Sequence, residues 1–113
     1  MLGKPSVLYA SNILDKYQVS LLAAAYQNLD EIYEYFADEL SADQAALDLI
    51  EKLEEAVLSL ELMPFRGARR RVGAFAGKGY RQLFVNDFTI IYRIVEIKKQ
   101  VVIVTIRYSK SQF

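Results

Sequence analysis

The sequence predicts an α+β fold, a helical hairpin packed on a small, mainly antiparallel four-stranded sheet in the order β-α-α-β-β-β. Two observations carry this. Between residues 79 and 108 three runs rich in β-branched and aromatic residues, Tyr80-Arg81-Gln82-Leu83-Phe84-Val85, Phe88-Thr89-Ile90-Ile91-Tyr92-Arg93-Ile94-Val95 and Val101-Val102-Ile103-Val104-Thr105-Ile106-Arg107-Tyr108, follow one another with breaks too short for crossovers. Between residues 23 and 62 the apolar positions instead step by threes and fours. With 113 residues, 53% of them apolar, the chain suits one domain with a single core of ordinary size.

In chain order, residues 1–15 follow neither period and are broken by Gly3, Pro5, Ser11 and Asn12. Residues 1–16 therefore read as an N-terminal extension or a cloning remnant, residues 17–113 as the domain, and deletion through Asp15 is expected to leave the domain folded. Tyr17-Gln18-Val19-Ser20-Leu21 alternates and predicts a short strand at an edge of the sheet. From residue 23 to 40, Ala25, Leu29, Ile32, Tyr33, Phe36 and Leu40 form one helical stripe with Asp30, Glu31, Glu34 and Asp38 off it. Ser41-Ala42-Asp43-Gln44 matches a capping box, which predicts the end of one helix and the start of the next. The second helix is expected to reach about Leu62, because Pro64 disfavours helix at Met63, and its stripe is Ala46, Leu49, Ile50, Leu53, Val57 and Leu60. So short a break makes the helices antiparallel, and their stripes are the natural cover for an apolar sheet face. Residues 63–78, with Pro64, Gly67, Gly73 and Gly77, predict a loop longer than most connections.

Within the sheet, a two-residue turn at Asn86-Asp87 sets Val85 opposite Phe88 and Leu83 opposite Ile90. One face then carries Leu83, Val85, Phe88, Ile90, Tyr92 and Ile94, continued on the last strand by Val102, Val104 and Ile106. The other carries Gln82, Thr89, Ile91, Arg93, Thr105 and Arg107; being mixed, it is expected to stand open, and target binding or chemistry is expected there. The same register puts Thr89 beside Arg107 and Arg93 near Ile103, so the two arginines lie at opposite ends of that face. Arg81 is expected to lean toward the helices and pair with one of their acids, and Tyr92 to belong to the core.

Composition excludes several chemistries. The chain has no cysteine and no histidine, which removes disulfides, thiolate nucleophiles, the commonest metal ligand and the commonest general base, so no metal and no cofactor is expected. No apolar run approaches a membrane span and no signal-peptide pattern opens the chain, which makes the cytoplasm the expected compartment. The net charge of zero hides a segregation. Residues 30–61 hold eleven acids against Lys52 alone, whereas residues 62–86 hold Arg66, Arg69, Arg70, Arg71, Lys78 and Arg81 and no acid. A basic loop of this kind attracts nucleic acid or an acidic partner, unless the two halves merely pair with each other.

The element order, the acidic hairpin ending in Leu58-Ser59-Leu60-Glu61-Leu62-Met63-Pro64-Phe65-Arg66-Gly67, and the segments Gly79-Tyr80-Arg81-Gln82-Leu83, Ile90-Ile91-Tyr92-Arg93-Ile94 and Val104-Thr105-Ile106-Arg107-Tyr108-Ser109 together resemble the RelE/ParE superfamily of toxins from bacterial type II toxin–antitoxin systems. The resemblance covers residues 17–113. It implies a small toxin without a cofactor, held inactive by a cognate antitoxin whose apolar residues dock on the hairpin at Leu53, Val57 and Leu60. The antitoxin's acids would meet Arg66, the basic loop or the basic residues at the end of the chain. Two activities occur in the superfamily. RelE-like members cut messenger RNA on the ribosome and place an arginine near the start of the second meander strand, where this chain has Thr89; Arg107, Tyr108 and Lys110 are the catalytic candidates left for such chemistry. ParE-like members lack those residues, carry a long hairpin with a leucine-rich second helix, and poison DNA gyrase. The ParE branch fits better, with target-contacting candidates Arg69, Arg70, Arg71, Thr89, Arg93, Arg107 and Lys110, ribosome-dependent cleavage as the alternative, and a non-toxic structural or repressor partner of an antitoxin as a second alternative.

Overall fold

A computed structural model describes residues 16–113. The extension expected over residues 1–16 lies, but for Lys16, outside the described residues. Strand β1 spans Gln18–Leu21, helix α1 Ala23–Glu34 with a π-helical turn Tyr35–Glu39 continuing it, and helix α2 Asp43–Ser59. Strands β2 (Ala68–Arg69), β3 (Arg81–Val85), β4 (Phe88–Val95) and β5 (Gln100–Tyr108) follow. The sheet has five strands in the order β1-β5-β4-β3-β2, with β1 parallel to β5 and the other pairs antiparallel. The predicted class holds with one strand more than expected. That strand, β2, lies inside the expected loop, two residues of no apolar pattern that extend only because β3 offers an unpaired edge.

The stripe of α2 is buried as its period requires: Ala46 is buried, and Leu49, Leu53 and Val57, with Leu60 just past the helix end, form one core with Leu83, Phe88, Ile90, Tyr92, Val101, Ile103 and Ile106. The β3–β4 turn sits at Asn86-Asp87, with Val85 opposite Phe88 and Leu83 opposite Ile90, as the alternation predicts. On β5 the prediction holds at Ile106 and fails before it. Tyr92 pairs with Ile103 while Ile91 pairs with Thr105, so Val104 is an extra residue. This bulge inverts the parity of the strand, putting Val101 and Ile103 into the core in place of Val102 and Val104.

The capping box does not form. The π turn is closed by Leu40 N–H to the Tyr35 carbonyl at 3.2 Å, and Ser41 then takes a left-handed φ of 49°. Ser41 thereby ends α1 rather than starting α2, whose N-cap Ala42 has no side chain to cap with, and the Gln44 amide bonds Asp48 at 2.9 Å instead. The second helix also stops earlier than expected, at Ser59, where its hydroxyl donates back to the Ala56 carbonyl at 2.6 Å.

Tyr92 joins the long loop to the core. Its ring is fully buried, its hydroxyl donates to the Pro64 carbonyl at 2.8 Å, and it accepts the Gly67 amide at 3.0 Å. Gly67 lies so close beneath the sheet that a Cβ there would strike the Gln82 carbonyl and stand 2.6 Å from the Tyr92 hydroxyl. Arg81 completes the junction, donating to the Gly67 carbonyl at 2.5 Å and the Phe65 carbonyl at 3.2 Å. Its role is structural, as expected, but its partners are loop carbonyls rather than an acid of the hairpin. Gly67→Ala is therefore expected to cost about 2 kcal/mol through overpacking, read as a lower urea midpoint with an unchanged m-value.

Candidate functional site

The second face of the sheet, expected to stand open, is closed along its middle. Thr89 is 1% exposed, Ile91 0% and Thr105 4%. Gln82, Ile91 and Thr105 form one row across β3, β4 and β5, and that row is bracketed by two arginines. At one end, Arg70 Nη1 donates to Gln82 Oε1 at 2.9 Å and Arg70 Nε to the Val72 carbonyl at 3.0 Å. At the other, Arg107 Nε donates to Thr105 Oγ1 at 3.1 Å. Between them lies the ring of Phe113, 4.4 Å from the Arg70 guanidinium carbon and 5.5 Å from that of Arg107. The segment after β5 thus folds back over the face that alternation alone leaves bare.

Thr89 is held in this cover by a 2.8 Å hydrogen bond between its hydroxyl and that of Ser109, whose amide donates to the Asp87 carbonyl at 2.7 Å. It pairs with Arg107 as the register predicts, but it is walled off and offers no contact surface. Arg93 pairs with Val102 at the far end of the face, exposed and separate from Arg107. Lys110 is exposed in the turn after β5, and Tyr108, 45% exposed, packs edge-on to Phe88 at 5.9 Å.

Beside the free edge of β5 runs an open groove of about 630 Å³, lined by Arg107, Tyr108, Asp87, Phe88 and, from α1 and its π turn, Asn28, Glu31, Ile32, Tyr35 and Phe36. β1 ends opposite Ile103, and Asn28 takes over the edge, its Oδ1 accepting the Ile106 amide at 2.9 Å and the Thr105 hydroxyl at 2.7 Å. A basic hollow of about 440 Å³ lies under Arg69, Arg70, Arg71 and Tyr80, so Arg70 belongs both to it and to the clasp around Phe113. Among the described residues no arginine of the basic loop pairs with an acid of the hairpin; the ion pair present, Lys16 with Glu61 at 3.5 Å, is exposed. The segregated charges therefore stand free rather than cancelling locally.

The residues expected to hold a partner segment need relocating. Leu53 and Leu60 are fully buried, because the α2 stripe is the core face itself, whereas Val57, 5% exposed, also reaches the floor of a groove on the outer side of the hairpin. What the hairpin offers outward is a groove of Tyr26, Leu29, Tyr33, Ile50 and Leu58, with Asp30, Glu34 and Glu54 on its rim. Arg66 lies over the end of α2, donating to Ser59 Oγ at 2.7 Å, where a cation meets the negative end of the helix dipole. Sequence reasoning missed Asn28 and Phe113 altogether, and placed Gln82 on the second face without a partner. The one available signal was an isolated phenylalanine after the polar run Ser109-Lys110-Ser111-Gln112.

The two-helix hairpin on a five-stranded sheet has counterparts among solved structures. The chain superposes on a structure of the chromosomal ParDE TA system from P. aeruginosa with a TM-score of 0.70 at 22% identity, covering 85% of this chain and 99% of that one. It matches the RelBE2 toxin–antitoxin complex from Mycobacterium tuberculosis with a TM-score of 0.62 at 19% identity, over 82% and 98%. A YoeB/ParE toxin from Agrobacterium tumefaciens gives 0.55 at 15%, over 80% and 96%. A comparison with curated protein sequences finds no match. Residues 19–113 match the family model described as the ParE toxin of the type II toxin–antitoxin system parDE, and the chain belongs to that family.

Because position 89 is sealed, a cation introduced there would be buried without a partner. Thr89→Arg is expected to destabilise the fold by about 3 kcal/mol or more, measured by chemical denaturation; an unchanged midpoint would show that the face opens readily.

Proposed function

We propose that this chain is a growth-inhibiting toxin that acts by holding DNA gyrase, and that a cognate antitoxin neutralises it. The observation that carries the choice of target is the state of Thr89. Where the nuclease branch needs a permanent cation for the pentavalent phosphate, this chain has a hydroxyl bonded to Ser109 and shut away from solvent. Losing one such transition-state donor costs about a hundredfold or more in rate, and the chain has no imidazole to move the proton. Binding has no such requirement. It needs an exposed, charged and fixed surface, and the basic hollow with Arg107 and Lys110 supplies one.

An antitoxin suits the opposite side of the same charge segregation. Its apolar side chains would enter the outer groove at Tyr26, Tyr33 and Leu58, and its acids would meet Arg66, Arg69 and Arg71. Similar folds solved as toxin–antitoxin complexes support this partner class.

The second reading, ribosome-dependent cleavage of messenger RNA, is favoured by one observation. Arg107, Tyr108 and Lys110 are exposed together at the end of β5, and the Arg107 terminal nitrogens have no protein partner among the described residues. Inducing the chain without an antitoxin and mapping transcript 5′ ends separates the two. Growth arrest with an SOS response and intact transcripts is expected; codon-positioned cuts that vanish in Arg107→Ala would transfer the assignment to the nuclease branch, and unimpaired growth would leave a non-toxic partner of the antitoxin.

A further inference from the structure

Phe113 contributes nothing to the core, yet two independent features of the structure receive it. Its ring faces the guanidinium of Arg70, which arrives from the long loop, and that of Arg107, which arrives from β5. Its carbonyl accepts the Ala74 amide at 3.2 Å, beside Gly73, whose φ of 74° and missing Cβ let that carbonyl approach; any larger residue would collide with it. Both guanidinium groups contact the same ring, and the acceptors they use, Gln82, Val72 and Thr105, are all neutral. The electron-rich faces of the Phe113 ring attract both guanidinium groups.

We propose that Phe113 is a positioning residue whose ring holds Arg70 and Arg107 as one preformed cationic pair, so that acidic groups of the protein target meet two arginines already in place. This rests on the reading that the target is held on this face. The ring contacts each guanidinium while hydrogen bonds hold Nε and Nη1 of Arg70 and Nε of Arg107, leaving the terminal nitrogens of Arg107 and Nη2 of Arg70 without protein partners among the described residues. Two side chains whose rotamers are already restricted lose less freedom on binding than two free ones. Because both contacts lie at the surface, removing the ring is expected to change target binding far more than folding.

The test compares Phe113→Leu, Phe113→Tyr and Arg107→Ala with the unaltered chain, reading the inducer level that arrests growth without an antitoxin, the urea midpoint, and the NMR shift of the Arg107 Nε–H group. Phe113→Leu keeps the apolar bulk and loses the ring. It is expected to need about fivefold or more inducer, with an unchanged midpoint and an Nε–H signal released from the ring current, and Phe113→Tyr is expected to restore the inducer level and the Nε–H shift. If Arg107→Ala loses activity while Phe113→Leu arrests growth at the unaltered level, the positioning role is overturned and the site stands. If Arg107→Ala also arrests growth undiminished, the site itself falls and the positioning role falls with it.

Discussion

The phenolic hydroxyl of Tyr92 is the contact on which the second half of the molecule depends. It stands at the middle of the central strand β4, fully buried, and it reaches out of the core to bond both Pro64 and Gly67. A buried phenol, a buried carbonyl and a buried amide are satisfied together by this one group, and leaving any of them unpaired costs about 1–3 kcal/mol. Through it the chain leaving α2 is brought under the sheet, so that Ala68 meets Gln82 and Arg69 meets Arg81 as a fifth strand. Arg70 follows directly, its amide bonded to the Tyr80 carbonyl at 2.8 Å. The basic loop is therefore an ordered extension of the sheet, and its first arginines have fixed places.

A second constraint acts at the other edge. β5 must bury Val101 and Ile103 beside Tyr92 and Ile94 and also bury Ile106 beside Ile90, which no regular strand can do because the spacing from 103 to 106 is odd. The bulge at Val104 resolves this, and it falls where β1 has ended, so that Asn28 rather than a strand completes the edge. It also decides which residues face away from the helices. Thr105 and Arg107 share the second face with Ile91 and Thr89, and only that arrangement lets Arg107 reach the Phe113 ring.

How much of this was legible follows from the range of the forces involved. Local periodicity sufficed for both helices, for the pairing across Asn86-Asp87 and for Tyr92 as a core residue, because burial repeats along the chain and a two-residue turn sets its own register. The bulge left no local mark, since Val101, Val102, Ile103 and Val104 are equally apolar and either parity looks acceptable. Ser41-Ala42-Asp43-Gln44 carried the residues of a capping box, but the π turn delivers Ser41 in a left-handed conformation that a capping serine does not adopt. The covered face was missed for a different reason. It is made by a phenylalanine, two arginines and a glutamine far apart in sequence, and neither Arg70 nor Phe113 belongs to a periodic run. Leu53, Val57 and Leu60 were recognised correctly as one stripe, but Leu53 and Leu60 are wholly taken up by the core and Val57 alone of the three also lines the outer groove.

On the function proposed here, the toxin works by presenting a surface that is ordered before the target arrives. Three backbone amides hold that surface, Gly67 to the Tyr92 hydroxyl, Arg70 to the Tyr80 carbonyl and Ala74 to the Phe113 carbonyl. Native-state hydrogen exchange of these three in the free protein is the most direct measurement. A preformed surface requires each to exchange about tenfold or more slowly than in an unstructured peptide. Exchange of all three at the unstructured rate, with the amides of β4 and β5 still protected, would mean that the loop and the final segment are organised only on binding, and would contradict a preformed site.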